Sequence, residues 1–325
     1  MNGDIRGEIL QDRRSKFSVI VALAGLGIAS YSAAPAQAVS TPLSNMTTVA
    51  KFTYSSGQQA ENLALEPNGN VDVTFNQGHQ VAQVNPSTGA TTVLATLPAS
   101  TNGVAATADG IVRGANGVLY VDYGAGNQSA IYMLDPSNNY SPQLFVSLPN
   151  MGWINGLALD STHGNLLATD STNGTVTAVS LQNKTSAVWA QGSALQPTSS
   201  TSKGANGIQV YNGNVYVSNT STGDLLKYPI NSDGSAGTMS TVATGVTSID
   251  DFTFDSKGDV LAAENYSSQL AYIPVGSSTP QIVATTSDGL DNPSSVKISG
   301  TSVYITNAAY FVQTNPSLMK ATLSS

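Results

Sequence analysis

Six segments of this chain share one pattern and follow one another at intervals of 44 to 51 residues. In each, a polar residue opens a run of alternating apolar residues, a glycine-containing turn follows, and a second apolar run ends in a polar or aromatic residue. A period of this size built from strands predicts a β-propeller with one blade per repeat. The opening residues, which would then meet at one mouth of the central channel, are Glu61, Asp109, Asn155, Asn206, Asp250 and Ser294.

The repeats predict an all-β fold, a six-bladed propeller with four-stranded blades. Each repeat ends in one more β-rich stretch, except the sixth, which is followed only by Ser317–Leu323. An unassigned strand-like stretch, Thr47–Tyr54, precedes the first repeat. We expect this N-terminal strand to complete the last blade, because closure of the ring removes open sheet edges. The alternative is that Thr47–Tyr54 is a loose leader.

Residues 1–38 have the pattern of a secretory signal peptide. Arg13, Arg14 and Lys16 precede an apolar run, Phe17–Ala29, and Ala36-Gln37-Ala38 matches a cleavage site. The expected domains are therefore a signal peptide at 1–38 and a single propeller at 39–325, secreted or periplasmic. The twin arginines leave the export route open. No later segment is apolar enough to predict a membrane span.

Charge and cysteine content restrict the possible partners. The chain carries a net charge of −8, and it has no cysteine. The negative charge argues against nucleic acid and anionic membranes as partners. The absence of cysteine excludes thiol chemistry and is compatible with export. We expect a monomer that acts on a small molecule.

The predicted mouth collects an unusual number of carboxylates. Counting the same register along the second strand of each hairpin adds Asp170, Asn219, Glu264 and Asn307, with Phe75 and Tyr123 in the first two blades. The acidic residues at the mouth would be Glu61, Asp109, Asp170, Asp250, Asp251 and Glu264. Carboxylates this close repel one another and raise each other's pKa, a conflict that a divalent cation resolves. Oxygen donors favour Ca²⁺, then Mg²⁺ or Mn²⁺. Alternatively, these side chains hydrogen-bond the strand ends around a water-filled tunnel.

Four of the motifs resemble those of the gluconolactonase and senescence-marker family, which includes diisopropyl fluorophosphatase. They are Glu61 in AENLAL, Asn155 in INGLALD, Asn206 in ANGIQV and Asp250 in IDDFTFD. Their order and rough spacing agree across the predicted propeller. The resemblance implies that Glu61, Asn155, Asn206 and Asp250 bind a metal ion, and that Asp250 also acts as base or nucleophile.

The chain departs from that family at three points. Trp153 stands where sugar lactonases tend to have an arginine, and Asn62 and Asp251 stand where the family has glycine. These forms look more like a branch of propellers known mainly from fungi and bacteria, some of which are reported to catalyse hetero-Diels–Alder reactions. The resemblance therefore supports the predicted metal site more strongly than it supports any particular substrate.

The expected function is a secreted hydrolase of lactones or related esters that depends on a divalent metal, with calcium favoured. The metal would polarise the substrate carbonyl, and Asp250 would act as base or nucleophile. Trp153, Phe252 and Tyr123 would form an apolar wall around the substrate. The remaining expected substrate or supporting residues are Asp109, Asp170, Asn219, Asp251 and Glu264. Two alternatives stay open: a secreted binding propeller with a structural channel ion, and a pericyclase-like propeller that orients two reactants.

Overall fold

Each of the six repeats folds as one antiparallel four-stranded sheet. The computed structural model describes residues 42–324, and within them 24 strands form six such sheets. The strands are β1 Leu43–Lys51, β2 Ala60–Leu65, β3 Val71–Phe75, β4 Gln80–Val84, β5 Thr91–Thr96, β6 Ile111–Arg113, β7 Leu119–Tyr123, β8 Ala130–Leu134, β9 Pro142–Ser147, β10 Ile154–Asp160, β11 Asn165–Asp170, β12 Thr175–Ser180, β13 Ser186–Gln191, β14 Ala205–Tyr211, β15 Asn214–Asn219, β16 Asp224–Pro229, β17 Ser240–Ala243, β18 Ile249–Phe254, β19 Val260–Glu264, β20 Gln269–Ile273, β21 Gln281–Ala284, β22 Pro293–Ser299, β23 Ser302–Asn307 and β24 Ser317–Leu323. The predicted six-bladed propeller is confirmed.

The helical content of the described residues is limited to short 3₁₀ turns between strands. They are Tyr54–Ser56, Ala115–Gly117, Gly126–Gln128, Pro136–Asn138, Ser193–Leu195 and Thr286–Asp288. None of the helices in residues 42–324 is long and apolar enough to cross a membrane. The predicted signal peptide, residues 1–38, lies outside the described residues.

Blades 1 to 5 each contain four consecutive strands, from β2–β5 to β18–β21. Tight turns join the first two strands of a blade. In blade 4, Tyr211 pairs with Asn214, so the turn consists of Asn212 and Gly213 alone. Both have positive φ, 47° and 71°, which is the geometry that favours Asn-Gly in two-residue hairpins. The turn reverses the chain, so the second strand ends beside the start of the first, as Asn219 does opposite Ala205.

The sixth blade combines both ends of the described chain. Its strand order is β1-β24-β23-β22, and β1 pairs antiparallel with β24 from Leu43 opposite Leu323 to Lys51 opposite Ser317. The prediction that an N-terminal strand completes the last blade is confirmed. The strand lies earlier than the predicted Thr47–Tyr54, because Tyr54 already belongs to a 3₁₀ turn. Strand β22 contacts β2, which closes the ring.

A bulge near the start of the inner strand recurs in five blades. In β10 the register shifts between Ile154 and Leu157, so Asn155 and Gly156 stand in the bulge. A Cβ on Gly156 would lie 2.4 Å from the carbonyl oxygen of Asn206 in the next blade, and one on Gly207 would lie 2.6 Å from that of Asp250. These two glycines are therefore required by the close approach of the neighbouring blade, and not by a turn.

Buried hydroxyl groups link successive blades at the same level. Thr74 donates to the carbonyl of Asp109 at 2.6 Å, and Ser218 donates to that of Asp250 at 2.6 Å. Thr169 makes the equivalent bond to Asn206, and Thr306 donates to Glu61 at 3.1 Å. Each donor lies on the second strand of one blade and each acceptor precedes or opens the first strand of the next. The bonds therefore hold the backbone of the ring residues in place.

Apolar clusters fill the space between blades. One contains Leu167 from blade 3 with Ile208 and Val217 from blade 4, all 2% exposed or less. Burial of this kind is the main favourable contribution to folding. Because apolar side chains fill the space between blades, the buried polar side chains converge at the channel mouth.

The hydroxyl links generate a stability prediction. We expect Thr169→Val, which keeps the side-chain shape and removes the donor to Asn206, to lower the free energy of unfolding by about 1–3 kcal/mol, since a buried carbonyl then loses a partner. The control is Thr241→Val on the exposed face of β17, which should change it by less than about 0.5 kcal/mol. Urea unfolding measures both. Equal effects of the two variants would contradict a structural role for the link.

Candidate active site

Four ring residues face one cavity at the channel mouth. Glu61, Asn155, Asn206 and Asp250 are the second residues of β2, β10, β14 and β18, and all four line a cavity of about 320 Å³. Their side chains come from blades 1, 3, 4 and 5, and the residues are 4–8% exposed. Trp153 lines the same cavity. The structure therefore brings together the four residues expected to bind metal, together with one expected substrate contact.

Two side-chain amides beside Asp250 have oxygen atoms that accept no hydrogen bond from the described residues. Asn265 donates from Nδ2 to Oδ2 of Asp250 at 2.9 Å, and Asn206 donates from Nδ2 to Oγ1 of Thr220 at 2.8 Å. The Oδ1 atoms of Asn206 and Asn265 are buried and have no hydrogen-bond partner among the described residues. Buried amide oxygens are rarely left unpaired. They offer acceptor positions to a cation or a ligand's donor.

The carboxyl groups of the cavity have raised pKa values. Burial raises the pKa of Glu61 well above its usual range, and Asp250 and Asp109 raise it further. Burial likewise raises the pKa of Asp250, with a further contribution from Asp251. The Tyr310 hydroxyl donates to Oε2 of Glu61, and burial raises the pKa of this phenol well above its ordinary value. Tyr310 therefore remains a hydrogen-bond donor.

Asp109, the ring residue of blade 2, supports the cavity wall. It is 1% exposed, and its Oδ2 accepts a hydrogen bond from Nε1 of Trp153 at 3.1 Å. Asn76 and Thr107 also donate to its carboxylate. Burial raises the pKa of Asp109 to about 6, although these donors oppose the increase. Asp109 thus fixes the indole of Trp153.

Polar residues at the ends of the second strands organise the loops that enter the mouth. Asp170 accepts hydrogen bonds from the backbone N–H groups of Gly152 and Trp153, at 2.8 and 3.1 Å. Asn219 of blade 4 donates to the carbonyl oxygens of Ala194 and Gln196 in the loop between blades 3 and 4, both at 2.9 Å. In blade 5, Glu264 accepts from Gln269. These three residues do not line the cavity; they shape the loops around it.

Asp251 lies below the cavity. Its Oδ2 accepts from Ser295 at 2.7 Å and pairs with Nζ of Lys297 at 2.9 Å. Ser295 also donates to Asn62 at 3.2 Å. Asn62 and Asp251, which stand where gluconolactonase-like propellers are expected to have glycine, therefore share a polar network with blade 6, and this network accommodates their side chains.

The expected apolar wall has a different composition. Phe252 is fully buried against the core between blades 4 and 5, and Tyr123 is 3% exposed with its ring 5.3 Å from that of Tyr132. Neither lines the cavity, so of the three expected wall residues only Trp153 does. The bulge between Ile249 and Phe252 changes the strand alternation, which places Phe252 in the core.

Several cavity residues were not expected from the sequence. Lys203 precedes Asn206 by three residues, much as Trp153 precedes Asn155 by two, and this parallel is the only sequence signal for it. Tyr310 and Phe311 lie in the loop after β23, whose sequence has no pattern. The unexpected lining residues are Asn76, Gln77, Lys203, Thr220, Asn265, Tyr266, Tyr310 and Phe311.

Comparisons with known proteins show similarity of fold. No family model matches this chain, and no curated protein matches it significantly. Among solved structures, a luciferin-regenerating enzyme superposes with a TM-score of 0.64 at 14% identity, over 86% of this chain and 95% of that one. A gluconolactonase from Xanthomonas campestris gives 0.63 at 15% identity, over 86% and 89%. Virginiamycin B lyase from Staphylococcus aureus gives 0.57 at 13%, over 86% and 100%.

The resemblance to gluconolactonase-like propellers is thus confirmed at the level of the fold. Identities of 13–15% carry the architecture alone, and the three neighbours are described as catalysing different chemistry. One fold commonly hosts several functions. The function of this chain has to be argued from the side chains of its cavity.

The Asp109–Trp153 contact generates a spectroscopic prediction. In a Trp189→Phe background Trp153 is the only tryptophan, and its emission should change with a midpoint near pH 6, where Asp109 takes up a proton and the indole loses a charged acceptor. Adding Asp109→Asn should remove this transition. The control is Trp153→Phe with Trp189 retained, which should show no transition in this range. Persistence of the transition in Asp109→Asn would assign it to another group.

Proposed function

We propose that this chain is an exported, divalent-metal-dependent hydrolase of lactones or related esters. The supporting observation is the convergence of Glu61, Asn155, Asn206 and Asp250, from four blades, on one open cavity. The proposal includes export through residues 1–38 and action as a monomer. It rests on the chemistry of these side chains and not on the neighbours' names.

The donor set fits a hard divalent cation. Two carboxylates would offset two positive charges, and the Asn155 and Asn206 amides would add neutral oxygens, a combination that suits Ca²⁺. The Oδ1 atom of Asn206 is buried and accepts no hydrogen bond, which is expected of an oxygen that binds a metal ion. Within residues 42–324 there is no cluster of three or more Asp, Glu, His or Cys side chains that could hold a metal. Any ion here would therefore depend on amide oxygens.

The surrounding side chains would orient these ligands. Tyr310 donates to one oxygen of Glu61, and Asn265 donates to one oxygen of Asp250, which leaves the other oxygen of each carboxylate available. Such outer contacts set the orientation of metal-binding carboxylates. The buried hydroxyl links hold the backbone on which three of the four ligands stand.

A bound divalent cation would supply Lewis acidity towards a substrate carbonyl. Asp250 would take a proton from the attacking water, and the acyl C–O bond would then break as the leaving oxygen receives that proton. In the covalent route Asp250 would attack the carbonyl itself and expel the leaving oxygen, and water would then cleave the acyl–Asp250 bond. Trp153 and the aromatic side chains of the rim would exclude bulk water from the acyl group.

The cavity geometry favours this function over a purely structural ion. A structural ion would be covered on all sides, whereas the four residues line a cavity large enough for a small organic molecule. A pericyclase-like protein would use the same cavity only to orient reactants. Such a protein would not need Asp250 as a base, so the turnover test separates the two.

Metal removal provides the first test. Calcium added to chelator-treated protein should raise the melting temperature, because a ligand present at 100 times its Kd contributes about 2.7 kcal/mol, or roughly 5–10 °C for a domain of this size. Glu61→Gln should raise the calcium concentration needed for half of this shift by at least about tenfold. The matched control is Glu66→Gln. Glu66 lies at the opposite end of blade 1 from the mouth, so this variant should show the same calcium-dependent melting shift as the wild type. No melting shift with Ca²⁺, Mg²⁺ or Mn²⁺ would refute the metal site.

Turnover provides the second test. On a panel of lactones and aryl esters, Asp250→Asn should lower kcat by about 100- to 10,000-fold, the range for loss of a general base. After chelator treatment, its melting temperature should stay within a few degrees of that of the metal-free wild type. Asp224→Asn, a half-buried carboxylate outside the cavity, should keep wild-type kcat. Full activity of Asp250→Asn on every accepted substrate would refute the mechanism.

A further inference from the structure

Lys203 places a positive charge in the wall of an otherwise acidic cavity. Its Nζ lies 3.2 Å from the centroid of the Trp153 ring, a cation–π arrangement. Both residues line the cavity. The indole is fixed at its edge, because Nε1 donates to Asp109, and the backbone N–H of Trp153 donates to Asp170. The ammonium therefore rests on a surface that is itself fixed.

The carboxylates near Lys203 obtain their hydrogen bonds from other groups. Asp109 accepts from Asn76, Thr107 and Trp153, Glu61 accepts from Tyr310, and Asp250 accepts from Asn265. Lys203 takes part in none of the salt bridges found in the described part of the chain. Its ammonium consequently keeps N–H donors for a molecule in the cavity.

The environment of Lys203 makes an unpaired ammonium unfavourable. Burial lowers its pKa, although Asp109, Glu61, Asp170 and Asp250 act in the opposite direction. An anion in contact with the ammonium would compensate for the lost hydration. Lys203 and a divalent cation would together offset the charges of Glu61, Asp109 and Asp250, so an anion could enter the loaded cavity.

An aromatic pair forms another part of the cavity lining. Tyr266 and Phe311 are 55% and 64% exposed, and their ring centroids lie 5.7 Å apart. Both line the same cavity as Lys203 and Trp153. The backbone N–H of Phe311 donates to Oδ1 of Asn292 at 3.0 Å, which holds this part of the loop. Large exposed rings at a polar cavity provide a surface for a flat apolar group.

We propose that Lys203 selects ligands that carry a carboxylate on an aromatic or similarly flat ring, with the ring against Trp153, Tyr266 and Phe311. For a substrate, this deepens the proposed hydrolase function: the ester or lactone would belong to a ring-bearing organic acid that keeps one free carboxylate. For a ligand that is not hydrolysed, the same recognition applies.

The test uses 2-naphthoate and 2-naphthamide, which share a ring system and differ in charge and which contain no ester bond. Binding to the calcium-treated protein is followed by probe fluorescence. The wild type should bind the naphthoate about tenfold more tightly than the amide, the factor of one hydrogen bond to a charged group. Lys203→Met should abolish this preference, and Lys203→Arg should retain most of it.

A matched control uses a second lysine placed over an aromatic ring. Nζ of Lys184 lies 5.2 Å from the centroid of Phe145, outside the cavity, so Lys184→Met should keep the wild-type preference. Phe311→Ala should weaken both probes alike, because it removes ring contact and not charge. Equal affinity of the wild type for both probes, or an unchanged preference in Lys203→Met, would overturn the role of Lys203. Unchanged affinities in Phe311→Ala would overturn the aromatic contact.

The outcome is distinguishable from failure of the proposed function. If the naphthoate preference depends on Lys203 while no ester is hydrolysed, the anion site stands and the hydrolase proposal fails. If esters are hydrolysed in an Asp250-dependent manner while both probes bind equally, the hydrolase proposal stands and this inference fails.

Discussion

Closure of the ring fixes where the inner strands of all six blades begin. The pairing of β1 with β24 joins the two ends of the propeller in one sheet, and β22 then lies against β2. With the ring closed, the inner strands of different blades begin at one mouth. Hydroxyl groups of four blades then bond the carbonyls of the next blade's ring residue, as Ser218 does for Asp250. The cavity is thus a product of long-range pairing as much as of local sequence.

The sequence predicts the fold well because the repeat is local. The spacing of Glu61, Asn155, Asn206 and Asp250 places one polar residue at the start of each inner strand, and the structure has each as the second residue of its strand. The lining of the cavity is less predictable. Lys203 and Tyr310 lie in loops, whose conformation depends on contacts with other blades. The sequence pattern predicts that Phe252 faces the mouth, but a bulge alters the alternation before it.

Two of the three departures from the gluconolactonase pattern, Asn62 and Asp251, lie in the bulges of their inner strands. A side chain at the glycine position of the bulge meets the next blade, as the 2.6 Å approach at Gly207 shows. Asn62 and Asp251 occupy such positions and are compatible with the ring because their polar groups bond with Ser295 and Lys297. Glu61 and Asp250, the residues just before them, line the cavity, and Asn62 and Asp251 do not.

The composite sixth blade also affects how the chain can be made and rearranged. Leu43 and Leu323 lie opposite each other on neighbouring strands. A short linker could therefore join the two ends of the propeller, and new chain ends could be placed in a loop of another blade. Circular permutation of this kind would leave every blade intact. During synthesis, however, β1 emerges first and its partner β24 last, so β1 remains without its sheet for on the order of tens of seconds. Chaperone capture of the nascent chain would act during that interval.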